Sequence, residues 1–125
     1  MGSKRHVLSD DQRKLLPLTP AFFFVLFALA DGEKHGYAVM QQVVTLSNGQ
    51  FRMGPGTLYT TIQRLVELQL IAEIFFANEQ DTRRRYYRLT GAGESLLEAE
   101  LDRLRDVLAT AHKMNLAWAG RRPVA

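Results

Sequence analysis

The sequence contains no cysteine. That excludes a disulfide framework, a thiolate metal site and a cysteine nucleophile, and it fits a reducing cytoplasm. Histidine is scarce. His6, His35 and His112 stand far apart and match no zinc-ligand spacing, so no metal or other cofactor is expected. Long apolar runs are absent. The longest, Ala21 to Ala30, is closed by Asp31 and falls well short of the ~20 residues of a membrane span. It lies behind charged residues, Pro17 and Pro20, so it does not read as a signal peptide, and His6 breaks the myristoylation pattern that Gly2 would begin. No membrane partner is expected. Net charge is also small, +3 from 16 basic and 13 acidic side chains. A total that size says little about nucleic acid; the placement of the charges decides.

What is present is enough for one packed domain. The chain has 125 residues, of which 46% are hydrophobic. Ser9 with Asp10 and Asp11 starts a short helix that Pro17 stops. Thr19-Pro20 supplies a cap and a first-turn proline for a helix to about Ala30. That helix is apolar all round (Phe22, Phe23, Phe24, Val25, Leu26, Phe27), so it has to be buried on every side. A domain this small cannot cover it alone, which points to a second subunit. A second helix runs from about His35 to Leu46, with Tyr37, Met40, Val43 and Val44 at helical spacing. Gly54-Pro55-Gly56 reads as a turn, with Thr57 as the N-cap of a third helix to about Leu68. Leu58, Ile62 and Leu65 form its inner stripe. Thr57, Thr60, Thr61 and Arg64 lie away from that stripe, with Tyr59 and Gln63 at its borders.

Ile71 to Ala77 and Arg83 to Leu89 read as two strands of a hairpin joined by a polar loop. Thr90 caps a long last helix to about Trp118. Leu97, Leu101, Leu104, Leu108, Ala111, Asn115 and Trp118 follow the alternating four-three spacing of a coiled-coil seam. They are the expected dimerisation residues, with Asn115 as the polar residue that fixes register. The stripe could instead pack only on its own domain. The expected fold class is mainly α with a two-stranded β wing, a winged helix-turn-helix followed by a long C-terminal dimerisation helix. Residues 1–17 form an N-terminal extension, 18–90 the winged helix-turn-helix, 91–118 the dimerisation helix and 119–125 a flexible tail.

Several motifs carry a resemblance. They are Leu29-Ala30-Asp31-Gly32 with His35-Gly36-Tyr37, then Gly56-Thr57-Leu58-Tyr59, then Arg64-Leu65 with Leu70-Ile71, and Arg84-Arg85-Tyr86-Tyr87-Arg88-Leu89-Thr90 with Gly93. In this order and spacing the chain resembles the PadR family of bacterial transcriptional regulators, in its shorter branch with a single terminal helix. The family usually has proline where this chain has Thr60, and glycine where it has Gln69. The resemblance implies a dimeric DNA-binding regulator or repressor. Its third helix and wing would contact double-stranded DNA, and its last helix would pair with that of a second copy. It also implies a small-molecule effector, for which Phe23, Phe27, Met114 and Trp118 could line an apolar chamber between subunits. Filling the dimer core is the alternative role for those four.

The residues support DNA on their own terms. Thr57 places a hydroxyl at a helix start, where a phosphate would meet backbone amides. Thr60 and Thr61 can reach base edges or a thymine methyl, and Arg64 can pair with guanine or phosphate. Tyr59 can give its hydroxyl to a phosphate or serve as a half-buried core residue. Lys34, His35 and Tyr37 open the second helix, a usual place for a backbone contact. Arg83, Arg84, Arg85 and Arg88 crowd one strand. Alternation puts Arg83, Arg85 and Tyr87 on one face, the expected phosphate face. A solvated edge strand protected by charge is the other reading. No enzyme is expected. Gly54-Pro55-Gly56 lacks the lysine of a phosphate loop, and no serine, histidine and acid form a catalytic set. A winged-helix module that binds protein rather than DNA is the remaining alternative. The outer face of the third helix discriminates the two.

Overall fold

The computed structural model describes residues 7–75 and 85–118. The elements run α1 (Asp10–Arg13), α2 (Pro20–Ala28), β1 (Lys34–His35), α3 (Gly36–Leu46), α4 (Pro55–Glu67), β2 (Ile71–Ile74), β3 (Tyr86–Leu89) and α5 (Gly91–Lys113). α1 is a single turn held by a reciprocal cap. The Ser9 hydroxyl accepts from the Gln12 N–H, and the Gln12 carboxamide accepts from the Ser9 N–H. α2 begins as its sequence requires, with the Thr19 hydroxyl accepting from the Phe22 N–H and Pro20 in the first turn. It lies against α3, α4 and α5. Val25, Leu26 and Ala28 are buried, while Phe22, Phe23, Phe24 and Phe27 are only half-buried within one chain.

α3 buries Gly36, Val39 and Val43. The expected stripe was therefore displaced by one residue at its start, since Tyr37 points outward and is 59% exposed. The sheet also differs from the expected hairpin. It has three strands in the order β1-β3-β2, all antiparallel, with Lys34 opposite Tyr87 and Glu73 opposite Tyr87 on the other side. β1 is two residues long, too short to leave a period-two pattern.

α4 starts earlier than Thr57. Gly54 is the N-cap, Pro55 sits in the first turn, and no side chain caps the helix. Proline at the first helical position has the backbone angle a helix start needs and no N–H to satisfy, so the helix begins there and Thr57 is not the cap. The other end closes in a Schellman motif. The Leu70 N–H donates to the Leu65 carbonyl at 2.9 Å and the Gln69 N–H to the Val66 carbonyl at 2.9 Å. That geometry puts Gln69 in the left-handed region, φ 64°. Gln69 is exposed, so its side chain contributes little to offset the steric cost. Gln69→Gly is expected to raise stability by about 1 kcal/mol, read as a higher midpoint in thermal unfolding. A lower midpoint would contradict the strain.

α5 is capped by Thr90, whose hydroxyl accepts from the Gly93 N–H at 3.0 Å and donates to the Gln69 carbonyl at 2.7 Å. Gly93 lies against the backbone carbonyl of Leu70, so close that a Cβ would overlap the oxygen. Ala92, Leu96, Leu97 and Glu100 are buried. Beyond Glu100 the helix leaves the domain, and nearly every residue from 101 to 118 is exposed or half-exposed. The 23-residue helix is about 35 Å long, more than the domain can cover. It ends at Lys113. Asn115 follows in the left-handed conformation with φ 51°, so it terminates the helix instead of sitting in the seam. Trp118 accordingly lies beyond the helix, 59% exposed.

Candidate nucleic-acid interface

α3 and α4 form the two-helix motif, and one glycine sets how closely they approach. The Tyr59 ring of α4 is seated against Gly36, where a Cβ on residue 36 would overlap the phenol. Tyr59 remains 46% exposed. Its hydroxyl end is thus placed at the start of α3, beside exposed Tyr37. His35 caps α3 through a ring nitrogen that accepts from the Ala38 N–H, and it packs edge-on against Tyr86 of β3 at 5.6 Å. The turn before it is tied by the ion pair of Asp31 and Lys34, which holds the Asp31 carboxyl below its ordinary range.

The outer face of α4 carries Thr57, Thr60, Gln63, Arg64 and Glu67, all exposed. Leu58, Ile62 and Leu65 are buried beneath it, as the inner stripe requires. Thr61 is also buried, at 8% exposure. This corrects its assignment to the reading face. The helix turns its buried sector far enough to take in residue 61, which the hydrophobic pattern alone left outside because threonine is polar. Gln63 takes its place on the exposed side. Arg64 reaches Glu67 at 3.8 Å, both side chains exposed. Such a pair holds weakly and is exchangeable for a phosphate.

In the wing, Arg83 and Arg84 lie outside the described residues. Arg85 is exposed and pairs with Glu73 of β2 at 3.5 Å. The face shared by Arg85 and Tyr87 is not the solvent face that alternation suggested, because Tyr87 is 3% exposed and belongs to the core. A side chain on the inner face of a sheet packs on the helix beneath it. Here Tyr87, Glu73 and Arg85 line a groove of about 560 Å³ together with Tyr59, Ile62, Gln63 and Val66 of α4. Burial pushes the Tyr87 phenol above its usual range, with Glu73 adding to the effect. Arg88 is exposed.

Two further cations lie on neighbouring segments of the chain. Arg52 is exposed in the segment leading into α4, and Lys34 lies on β1, half-buried. Arg52 escaped the sequence reading because an isolated arginine in a loop has no periodicity to mark it. Of the expected dimer residues, Leu97 is 5% exposed and fills its own domain's core. It is therefore not a seam residue. Leu101, Leu104 and Leu108 are 39%, 41% and 60% exposed, Val107 is exposed beside them, and Ala111 is half-buried. Phe23 and Phe27 touch on α2, ring centroids 5.3 Å apart. Met114 lies at the end of α5 in a groove of about 410 Å³ whose other lining residues are Arg103, Asp106, Val107, Thr110 and Ala111, with neither phenylalanine among them. Among the described residues no three His, Asp or Glu are placed to hold a metal ion, and no helix is long and apolar enough to cross a membrane.

A helix pair with an exposed polar second helix, backed by a small sheet and followed by a long helix, defines a winged helix-turn-helix protein. The family model of the transcriptional regulator PadR-like family matches residues 25–99. The chain belongs to that family of transcriptional regulators. It is 37% identical over 87 residues to the Transcriptional regulator Rv3488 of Mycobacterium tuberculosis, covering 66% of this chain and 74% of that protein. It is 42% identical over 80 residues to an uncharacterized 37.1 kDa protein in transposon TN4556 of Streptomyces fradiae, 64% of this chain but only 21% of that relative's length. Among solved structures, a PadR family transcription regulator from Clostridium difficile R20291 is similar with TM-score 0.63 at 24% identity, covering 78% of this chain and all 100% of that one. Bacillus subtilis PadR in complex with operator DNA is similar with TM-score 0.57 at 19% identity, over 64% of this chain and 45% of that one. At these identities the two structures speak to the fold.

Proposed function

We propose that the chain works as a cytoplasmic homodimer that represses transcription by binding a pseudo-palindromic operator through α4 and the wing. The outer face of α4 carries this reading. Thr57, Thr60, Gln63 and Arg64 offer donors, acceptors and a cation, with no apolar side chain among them. That is chemistry for a major groove; a protein-binding face would present apolar anchors. The family's role in transcription and the operator complex of the Bacillus subtilis relative support the same conclusion.

The dimer rests on the exposed Leu101, Leu104, Val107 and Leu108 stripe, which a second copy of α5 would cover. Phe23 and Phe27 of α2, half-buried within one chain, would be covered by the same second copy. The reading extends to release by a small apolar effector held between subunits, where those two rings, Met114 and Trp118 would supply the lining. Two recognition helices related by a twofold axis would meet half-sites one or more helical turns (~10 bp) apart.

Gel-shift titration on DNA upstream of the protein's own gene tests the reading. Arg64→Ala is expected to weaken binding by about tenfold, in the range of one base or phosphate contact, with unfolding unchanged. Affinity of the unaltered protein should fall steeply with salt, because phosphate neutralisation releases counterions. Binding that ignores salt, or an Arg64→Ala protein that binds as well as its parent, would defeat the proposal.

A further inference from the structure

Residues 8–18 precede the segment matched by the family, yet they are built into the domain at both ends of the reading apparatus. Gln12 is 7% exposed. Its Nε2 donates to the Leu68 carbonyl at 3.0 Å, at the C-terminal end of α4. Leu15 and Leu16 pack on the core. Leu18, 8% exposed, donates its N–H to Glu100 Oε2 at 3.0 Å, on α5. Glu100 is 3% exposed and is a charged group with every oxygen used. Arg103 Nε and Nη2 meet Oε1 and Oε2 at 2.6 and 3.1 Å. That fork holds the Glu100 carboxyl below its usual range although burial opposes it. A buried carboxylate kept ionised by one guanidinium and one backbone N–H is a costly feature for a surface tether that does nothing else.

Its placement shows what it adds. α5 is already fixed to the end of α4 at its first turn, through the Thr90 hydroxyl on the Gln69 carbonyl and Gly93 against Leu70. Leu96 and Leu97 then seat its next turn in the core, and the length of the helix beyond them is what can still pivot. Glu100 lies one turn beyond Leu97, and about 10 Å along the axis from Gly93 at 1.5 Å per residue. A second attachment there removes the pivot.

We infer that residues 8–18 form a strap that fixes the angle between α4 and α5, with Gln12 and Glu100 as its positioning residues. In the dimeric reading above, on which the functional part of this inference rests, that angle sets the separation of the two recognition helices. The strap is then the element that selects half-site spacing.

The test uses the full chain with Gln12→Glu. Glutamate keeps the acceptor for the Ser9 N–H, so the α1 cap survives, but it cannot donate to Leu68. Because the chain has no cysteine, spin labels can be placed through Gln63→Cys on α4 and Asp106→Cys on α5, both exposed sites. The labelled chain is diluted with unlabelled protein, so that the distance read is within one chain. The parent should give one narrow distance distribution, and Gln12→Glu should broaden it at least twofold. Gln12→Met, which removes the donor without burying a charge, should broaden it too. An unchanged distribution in whichever variant folds overturns the strap. The second arm takes an operator selected from random DNA by the parent and inserts one base pair between its half-sites. Both variants should lose at least threefold of the parent's discrimination between the two spacings. A merely structural role would lower affinity for both spacings alike, and a preserved ratio overturns the assignment. A parent that selects no DNA would instead refute the dimeric operator-binding reading, and the distance arm would still decide the strap.

Discussion

Replacing Leu104 and Leu108 together with glutamate is expected to give a folded monomer with at least a hundredfold weaker operator binding. Both leucines belong to the stripe on the free half of α5, at 41% and 60% exposure. Neither contributes to the core of its own domain, so folding should survive. In a dimer the part of each leucine still exposed contributes about 1 kcal/mol when covered, and a twofold interface covers four of them. Two carboxylates facing their own copies across a twofold axis would remove that gain and add repulsion. Loss of the dimer leaves each half-site to bind alone, without the effective concentration that a linked second site provides. Light scattering after size exclusion and a gel shift read the two effects. A variant that stays dimeric would place the interface elsewhere, and a monomer with full affinity would remove the need for one.

Gly93→Ala is expected to destabilise the fold severely. The added Cβ would overlap the Leu70 carbonyl oxygen, and Leu89 Cδ2 stands 3.3 Å away on another side. Leu70 cannot retreat freely, since its carbonyl also accepts the Thr90 N–H at 3.1 Å and its side chain is fully buried. The cost is backbone displacement at the junction of α4, β3 and α5. About 3 kcal/mol or more is expected, against a total stability of roughly 5–15 kcal/mol for a domain. The melting midpoint followed by circular dichroism should drop by more than about 10 °C. A drop of only a degree or two would mean that the junction is looser than it is drawn.

The elements with strong local signals were legible in the sequence. Ser9, Thr19 and Thr90 cap the helices expected of them, and Leu58, Ile62 and Leu65 face inward. The glycine missing at residue 69 marked a left-handed position, and Gln69 occupies it. Misreadings came where a local rule met tertiary context. Thr57 looked like a cap because a hydroxyl favours that place, but Pro55 opens the helix two residues sooner. Thr61 is polar yet buried, and Leu97 fits a heptad yet serves its own core. Asn115 fits the seam's spacing but ends the helix. Periodicity cannot report which neighbour covers a stripe, or where a helix stops supporting one. Of the candidate DNA-contact residues, Thr57, Tyr59, Thr60, Arg64 and Tyr37 reach the surface together; the Gln12 and Glu100 contacts span 56 and 82 residues and leave no trace in local pattern.

The smallest strand has a consequence for how a search along DNA would proceed. β1 pairs with the central strand of the wing, and its second residue, His35, is also the cap of α3. The wing and the helix pair therefore share a residue rather than a flexible joint. A protein whose wing hangs on a tether can grip the backbone first and swing its helix in afterwards. In the operator-binding reading proposed above, the strands 71–74 and 86–89 and the helix pair would reach DNA as one body, so that each encounter would fit as a whole or be released, and a sliding protein would sample sites quickly without lingering on partial matches.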